Sequence, residues 1–314
     1  MQYLPLGKTG IEVSKLCFGS LSVGPCQADL SPDAAGEVIA LALSRGINHI
    51  DTAQLYETYP HIKRGLELAG NPDNTVISSK TYAYTRQMAL DAVDEARREL
   101  SRDVIDIFLL HEQESEHTVR GHMEALEALY DLKAKGIIRA VGLSTHRISG
   151  VSAAIKFGLD VIHPLLNKFG VGIGDGTADQ MKAEVARAAD EGIGVFVMKP
   201  FGGGNLLAHT AECMEYACGL PYSFAVGMRT EDEVLANIAF AERGKFPPEL
   251  AAKISRQKRR LIIEDHCIGC GACAEVCGQG AISVVNGKAE CIEEKCITCG
   301  YCGRACPETC LKII

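Results

Sequence analysis

The chain has 314 residues, 47% hydrophobic and 23% charged, an ordinary balance for a globular protein with room for one large and one small domain. A formal net charge of −8 speaks against a nucleic-acid partner, which needs concentrated Lys and Arg. No apolar run reaches the ~18 residues of a membrane span. The opening Met1-Gln2-Tyr3-Leu4-Pro5-Leu6-Gly7 lacks the charged and apolar regions of a signal peptide, so a cytoplasmic protein with no membrane partner is expected.

In chain order, β-rich runs fall at Val13–Ser20, Asn48–Asp51, Thr75–Ser79, Ile105–His111, Ala140–Ser144, Val161–Leu166, Gly194–Met198 and Phe224–Gly227. Helical patterns lie between them, among them Ala34–Ser44, Met88–Leu100, Thr118–Lys135 and Gln180–Glu191. Strands alternating with amphipathic helices over residues 1–245 predict an α/β fold, a TIM (β/α)8 barrel. A doubly wound open sheet is the alternative; it is disfavoured because no G-x-G-x-x-G follows the first strand. Gly244-Lys245-Phe246-Pro247-Pro248 breaks the pattern, and a connecting helix is expected at Glu249–Leu261. Its basic run, Arg256-Gln257-Lys258-Arg259-Arg260, reads as a solvated face. The expected division is a barrel at 1–245, a linker at 246–261 and a small α+β domain at 262–314.

Cysteine usage sets that last domain apart. Of 14 cysteines only Cys17, Cys26, Cys213 and Cys218 precede it. A reducing cytosol disfavours disulfides, so the dense tail reads as metal-binding. Its two runs are Cys267-x2-Cys270-x2-Cys273-x3-Cys277 and Cys296-x2-Cys299-x2-Cys302-x3-Cys306-Pro307. They match the bacterial ferredoxin pattern for two [4Fe–4S] clusters, in which the fourth cysteine of each run ligates the other cluster. One cluster is then expected on Cys267, Cys270, Cys273 and Cys306, the other on Cys296, Cys299, Cys302 and Cys277. A zinc ribbon would use only four such cysteines. The runs are also an internal repeat: Cys277 to Ile282 aligns with Cys306 to Leu311, placing Cys310 where the first half has Ala281. Cys310, and likewise Cys291, therefore read as small core residues. Gly278 departs from the proline usual after the fourth cysteine. A domain this small has too little apolar core to stand alone, which makes its clusters structural centres as well.

Four stretches of the barrel carry a resemblance. They are Leu6-Gly7-Lys8-Thr9-Gly10-Ile11-Glu12-Val13-Ser14, Gly46-Ile47-Asn48-His49-Ile50-Asp51-Thr52-Ala53-Gln54-Leu55-Tyr56, Ile77-Ser78-Ser79-Lys80 and Asp106-Ile107-Phe108-Leu109-Leu110-His111. Together they resemble the aldo-keto reductases, in the branch that carries iron–sulfur clusters. The resemblance implies a catalytic tetrad of Asp51, Tyr56, Lys80 and His111. Three of these lie at or just past predicted strand ends and Tyr56 on the following loop, the face where barrel chemistry resides. A Lys80 cation, positioned by Asp51, is expected to lower the Tyr56 pKa. His111 can orient a carbonyl oxygen and Tyr56 protonate the developing alkoxide. His49 reads as structural.

The resemblance also implies a nicotinamide cofactor. Ser144-Thr145 stands where the family usually has Ser-Asn, Asn167 fits its position after the sixth strand, His163 replaces a glutamine, and Met198 replaces a tyrosine common there. Lys199-Pro200-Phe201-Gly202-Gly203-Gly204 could wrap a pyrophosphate with backbone N–H groups. Arg229 and Thr230 follow the eighth strand; Arg229 can pair a 2′-phosphate, which favours NADPH over NADH. Asn237 fits an adenine contact, with Ala236 where an acidic neighbour is common.

The expected activity is hydride exchange between NAD(P)H and a small carbonyl or alcohol, with an attached electron-transfer domain serving a one-electron redox partner protein. Nicotinamide gives two electrons together and clusters accept one at a time, and no flavin motif bridges them. A second reading is an iron–sulfur electron carrier whose barrel is a docking scaffold. A third makes the clusters structural or an oxygen sensor.

Overall fold

The computed structural model describes residues 1–250, 260–308 and 310–313. Eight parallel strands close into a barrel: β3 (Leu16–Gly19), β4 (His49–Asp51), β5 (Val76–Thr81), β6 (Ile105–Leu110), β7 (Ile138–Thr145), β8 (Val161–Pro164), β9 (Gly194–Met198) and β10 (Ser223–Gly227). β10 pairs with both β9 and β3, so the sheet has no edge. The strands are buried along nearly their whole length, as helices on the outer face require.

Several of the helices begin where the chain supplies a side-chain cap. Ser31 accepts from Ala34 N, Thr85 from Met88 N, and Thr177 forms a capping box with Gln180. The helical pattern expected at Thr118–Lys135 is two helices, Glu116–Gly121 and Met123–Ala134. Between them His122 leaves helical geometry beside Gly121, and its Nδ1 donates to the Thr118 carbonyl.

The run Val13–Ser20, expected as one strand, also splits. Residues Glu12–Ser14 (β2) pair antiparallel with Tyr3–Pro5 (β1) in a hairpin, and the barrel strand starts at Leu16. Lys15 makes the break, its ammonium bonded to the Leu220 and Tyr222 carbonyls. From this hairpin region, Leu6, Ile11 and Val13 pack with Ile107, Leu109 and Phe196 inside the barrel, leaving the opposite, C-terminal mouth for chemistry.

After the last barrel helix, Glu231–Arg243, the connecting helix expected at Glu249–Leu261 and most of its basic run fall on residues 251–259, outside the described residues. The tail is built of two small antiparallel pairs, β11 (Leu261–Ile263) with β14 (Leu311–Ile313) and β12 (Ile282–Val285) with β13 (Lys288–Cys291). Each cysteine run forms a loop ending in a one-turn helix, Ala272–Glu275 or Tyr301–Arg304. The tail's interior is largely sulfur: Cys273, Cys302, Cys306 and Cys310 cluster with Ile282, Ala289 and Leu311. Among the described residues no helix is long and apolar enough to cross a membrane.

Candidate active site and cluster sites

Asp51 ends β4, Lys80 lies on β5, His111 follows β6, and Tyr56 closes a 3-10 turn, Gln54–Tyr56, beyond β4. The barrel's closure brings all four to the C-terminal mouth. Lys80 Nζ donates to Asp51 Oδ2 at 2.9 Å and to the Thr52 carbonyl at 2.7 Å, with both side chains nearly inaccessible. Removing one partner of such a buried pair costs about 3–5 kcal/mol, because the other charge is left stranded. Tyr56 Oη and His111 Nε2 are 3.5 Å apart. The Tyr82 ring stacks on the His111 imidazole at 4.5 Å between centroids, and Tyr82 Oη donates to Glu112 at 2.7 Å.

Burial would raise the Asp51 pKa, yet the Lys80 charge and then His163 outweigh it and hold the carboxyl below the usual range. Burial and the Lys80 charge push His111 well down, so its imidazole is neutral, with no hydrogen-bond partner at Nδ1. The expectation for Tyr56 is corrected. Burial and the Asp51 charge push its phenol well above the ordinary tyrosine value. The Lys80 charge is spent on Asp51, and Nζ lies toward the Tyr56 ring, 5.0 Å from its centroid. Tyr56 is thus held as the protonated acid.

Two further residues lie near the tetrad: His163, read from the sequence only as replacing a glutamine, and Tyr301, which sequence reasoning did not single out. His163 lies beneath the tetrad, with Nε2 3.5 Å from Asp51 Oδ2 and Nδ1 donating to the Phe196 carbonyl at 2.7 Å. Tyr301, from the second cysteine loop, reaches across the mouth to 3.4 Å from His111 Nε2. The signal for it was present in the repeat, where an aromatic stands opposite Ala272. His49 sits deeper in the barrel on Ser78, as a structural residue would.

A cavity runs from Asp51 and Tyr56 past Met198 and Lys199 to Glu233 and Asn237. Of the expected dinucleotide contacts it brings together Lys199, Pro200, Phe201, Gly203 and Gly204 of the glycine strap, and Asn237. It does not include the others. Ser144 and Thr145 are fully buried and bonded within the loops after β6 and β7, to Glu112 N and Arg147 N. Asn167 spends both ends of its amide on Phe169, Val171 and Lys199 backbone. Thr230 caps the final barrel helix. Gly202 is buried within its own turn, its N–H on the Lys199 carbonyl. Arg229 is held by Glu233, which accepts from its backbone N–H at 2.6 Å and its guanidinium at 3.3 Å.

The tail forms the far wall of this cavity through Ile297 and Cys299. The glycine strap is packed against the second cysteine loop: a Cβ at Gly203 would overlap the Ile297 carbonyl oxygen. Thr298 Oγ1 donates to the Gly203 carbonyl and Asn205 to that of Cys296. Gln27 Nε2 donates to the Thr298 carbonyl at 3.2 Å, and Arg304 binds Glu57 and the Leu55 carbonyl.

The cysteines gather around two further cavities. Cys277, Cys296, Cys299 and Cys302 line one, whose wall of Ile297 and Cys299 is shared with the tetrad cavity. Cys267, Cys270, Cys273 and Cys306 line the other. Cys310 joins them there, 3.3 Å from Cys306 Sγ, so it is a core residue that also faces the cavity. Backbone N–H groups of Ala281 and Ala289 donate to Cys277 Sγ at 3.3 Å and Cys267 Sγ at 3.4 Å, as they would to ligating thiolates. Among the described residues no three ligand side chains close on one point as around a single ion. A cubane is instead held by thiolates spaced round a polyatomic core, which four sulfurs lining one cavity suit.

Comparison with known proteins identifies the family of the barrel and of the tail. Residues 15–217 match the aldo/keto reductase family, and residues 261–283 match the 4Fe-4S binding domain. The chain belongs to the aldo/keto reductase family. An aldo-keto reductase structure from Pseudomonas aeruginosa superposes with a TM-score of 0.65 at 24% identity, covering 77% of this chain and 94% of that one. One from Bombyx mori, solved in complex with NADP, gives 0.62 at 16% identity over 82% and 93% of the two chains. Likeness at such identity speaks for the fold. An NADPH-dependent alpha-keto amide reductase of Saccharomyces cerevisiae is 30% identical over 124 residues, 38% of this chain and 39% of that protein. Across such curated relatives the matches take in 39% to 63% of the relative's length.

Proposed function

We propose that this aldo/keto reductase exchanges hydride between a nicotinamide dinucleotide and a small carbonyl or alcohol at Asp51, Tyr56, Lys80 and His111. The observation that carries the reading is the meeting of Tyr56 Oη and His111 Nε2, 3.5 Å apart, over a buried Lys80–Asp51 pair. Bound dinucleotide would supply the hydride. The chain's own part is to hold the carbonyl oxygen between the Tyr56 hydroxyl and the neutral His111, polarising it. Tyr56 then gives its proton to the alkoxide oxygen. Lys80 and Asp51, each immobilised by the other, fix the floor under the phenol. Lys199, Gly203 and Asn237 are the residues placed to hold the dinucleotide along the cavity.

The choice between NADPH and NADH turns on Arg229. A 2′-phosphate would bind it only in competition with Glu233, whose carboxylate lines the cavity and repels a second anion. NADPH is therefore expected to bind less than about tenfold more tightly than NADH.

The division at 1–245, 246–261 and 262–314 is retained, with two [4Fe–4S] clusters on the two cysteine sets and a cytoplasmic setting. The set around Cys270, which is exposed, would meet a one-electron redox partner protein. The set around Cys299 abuts the tetrad cavity.

A second reading, an electron carrier on a barrel scaffold with little hydride transfer, is favoured by one observation: the tail already fills the mouth at Tyr301. Anaerobic mixing of the cluster-reconstituted chain with NADH or NADPH, with and without 4-nitrobenzaldehyde, separates the two. Aldehyde-dependent oxidation of the dinucleotide, lost in Tyr56→Phe, is expected. Dinucleotide that neither binds nor reacts would leave the scaffold reading in its place.

A further inference from the structure

Of the two groups that would hold a carbonyl oxygen, Tyr56 Oη and His111 Nε2, the second already has an oxygen of the chain itself beside it. Tyr301 Oη lies 3.4 Å from His111 Nε2, with the two rings edge to face at 6.4 Å. The same hydroxyl is near enough to Tyr56 and Tyr82 to draw both phenols' pKa values down, against the burial that raises them. Tyr301 is further held by its surroundings. It stands between Cys299 and Cys302 in one cysteine set, and three residues on, Arg304 latches to Glu57 and the Leu55 carbonyl. On the other side of Cys299, Ile297 is 2% exposed and Thr298 is tied to the glycine strap.

The geometry points to Tyr301 as an internal stand-in for substrate: its hydroxyl holds the carbonyl-oxygen position, and a carbonyl compound binds only by displacing it. The cysteine loop is thereby a plug as well as a cluster holder, and the reductase site is closed until the loop gives way. This inference rests on the proposed roles of Tyr56 and His111 as holders of the oxygen, but not on turnover.

Equilibrium binding tests it without catalysis. The full chain with clusters reconstituted is titrated calorimetrically with 4-nitrobenzaldehyde in the absence of dinucleotide. Tyr301→Phe keeps the ring and removes only the competing oxygen. It is expected to bind the aldehyde about tenfold more tightly than the unaltered chain, the scale of one hydrogen bond no longer competed for. Arg304→Ala, which frees the latch and leaves Tyr301 intact, is expected to move binding in the same direction. The gain should vanish in the double variant Tyr301→Phe, Tyr56→Phe. An unchanged affinity in Tyr301→Phe, with cluster absorbance intact, overturns the proposal. So does a gain that survives removal of the Tyr56 hydroxyl, since that would mark general loosening of the mouth. If the binding gain appears but NADH never reduces the aldehyde, the plug stands and the hydride-transfer reading falls.

Discussion

The two cysteine loops are copies of one repeat, and their differences are what join the tail to the barrel. Residues Cys267 to Cys277 align with Cys296 to Cys306, and both short helices open on a glycine with φ of 86°, Gly271 and Gly300. At the aligned isoleucines, Ile268 is 61% exposed and Ile297 only 2%. Where the first loop has Gly269, with φ of 64°, the second has Thr298 at 46°. A threonine rarely adopts that left-handed region, and here its hydroxyl bonds the Gly203 carbonyl. Ala272 becomes Tyr301, which reaches the tetrad, and Glu275 becomes Arg304, which latches to Glu57. A repeat can thus keep its ligand spacing while one copy faces solvent and the other becomes an interface.

The largest test of that contrast is ligand removal. Cys273→Ala and Cys302→Ala should each lose about half of the iron and sulfide if each set holds one cluster, as proposed. Only Cys302→Ala should also release the tail from the barrel, seen as faster amide exchange at Ile297 and around the Gly203 strap. Equal release by both variants would break the comparison. Oxidation gives a smaller contrast: in air the cluster at the exposed Cys270 should bleach several-fold faster than the one behind Ile297 and Tyr301, read as two phases of absorbance loss. A single phase would show that the barrel does not shield the second set. Smallest is a packing swap. Ile297→Ser should destabilise the closed chain by about 2 kcal/mol, the worth of one buried isoleucine. Ile268→Ser should stay within about 0.5 kcal/mol, measured by denaturant titration.

The barrel was legible because its signals are local. Alternating strand and helix patterns put all eight strands near their observed places, and the tetrad came from the resemblance to the aldo-keto reductases, with three of its residues at or just beyond strand ends. Where local reading and structure differ, a hydrogen-bond partner, near or distant, had decided the outcome. Val13–Ser20 looks like one strand, but Lys15 is drawn to carbonyls at Leu220 and Tyr222 and divides it. Ser144, Thr145 and Asn167 are the right polar types after the right strands, yet Ser144 accepts from Glu112 N, and Thr145 and Asn167 bond backbone of their own loops. Arg229 has the charge for a phosphate, but Glu233, one helical turn on, holds it.

By itself the sequence determined the parallel barrel and two cysteine runs at ferredoxin spacing, because periodicity and ligand spacing are properties of short stretches, and its resemblance to the aldo-keto reductases pointed to four residues that the fold gathers at the barrel's mouth. Only the tertiary structure decided which cysteine loop faces the barrel and that Tyr301 stands on His111. That contact joins positions 190 apart in the chain. A phenol carries no local mark of which distant hydrogen-bond partner folding will bring beneath it.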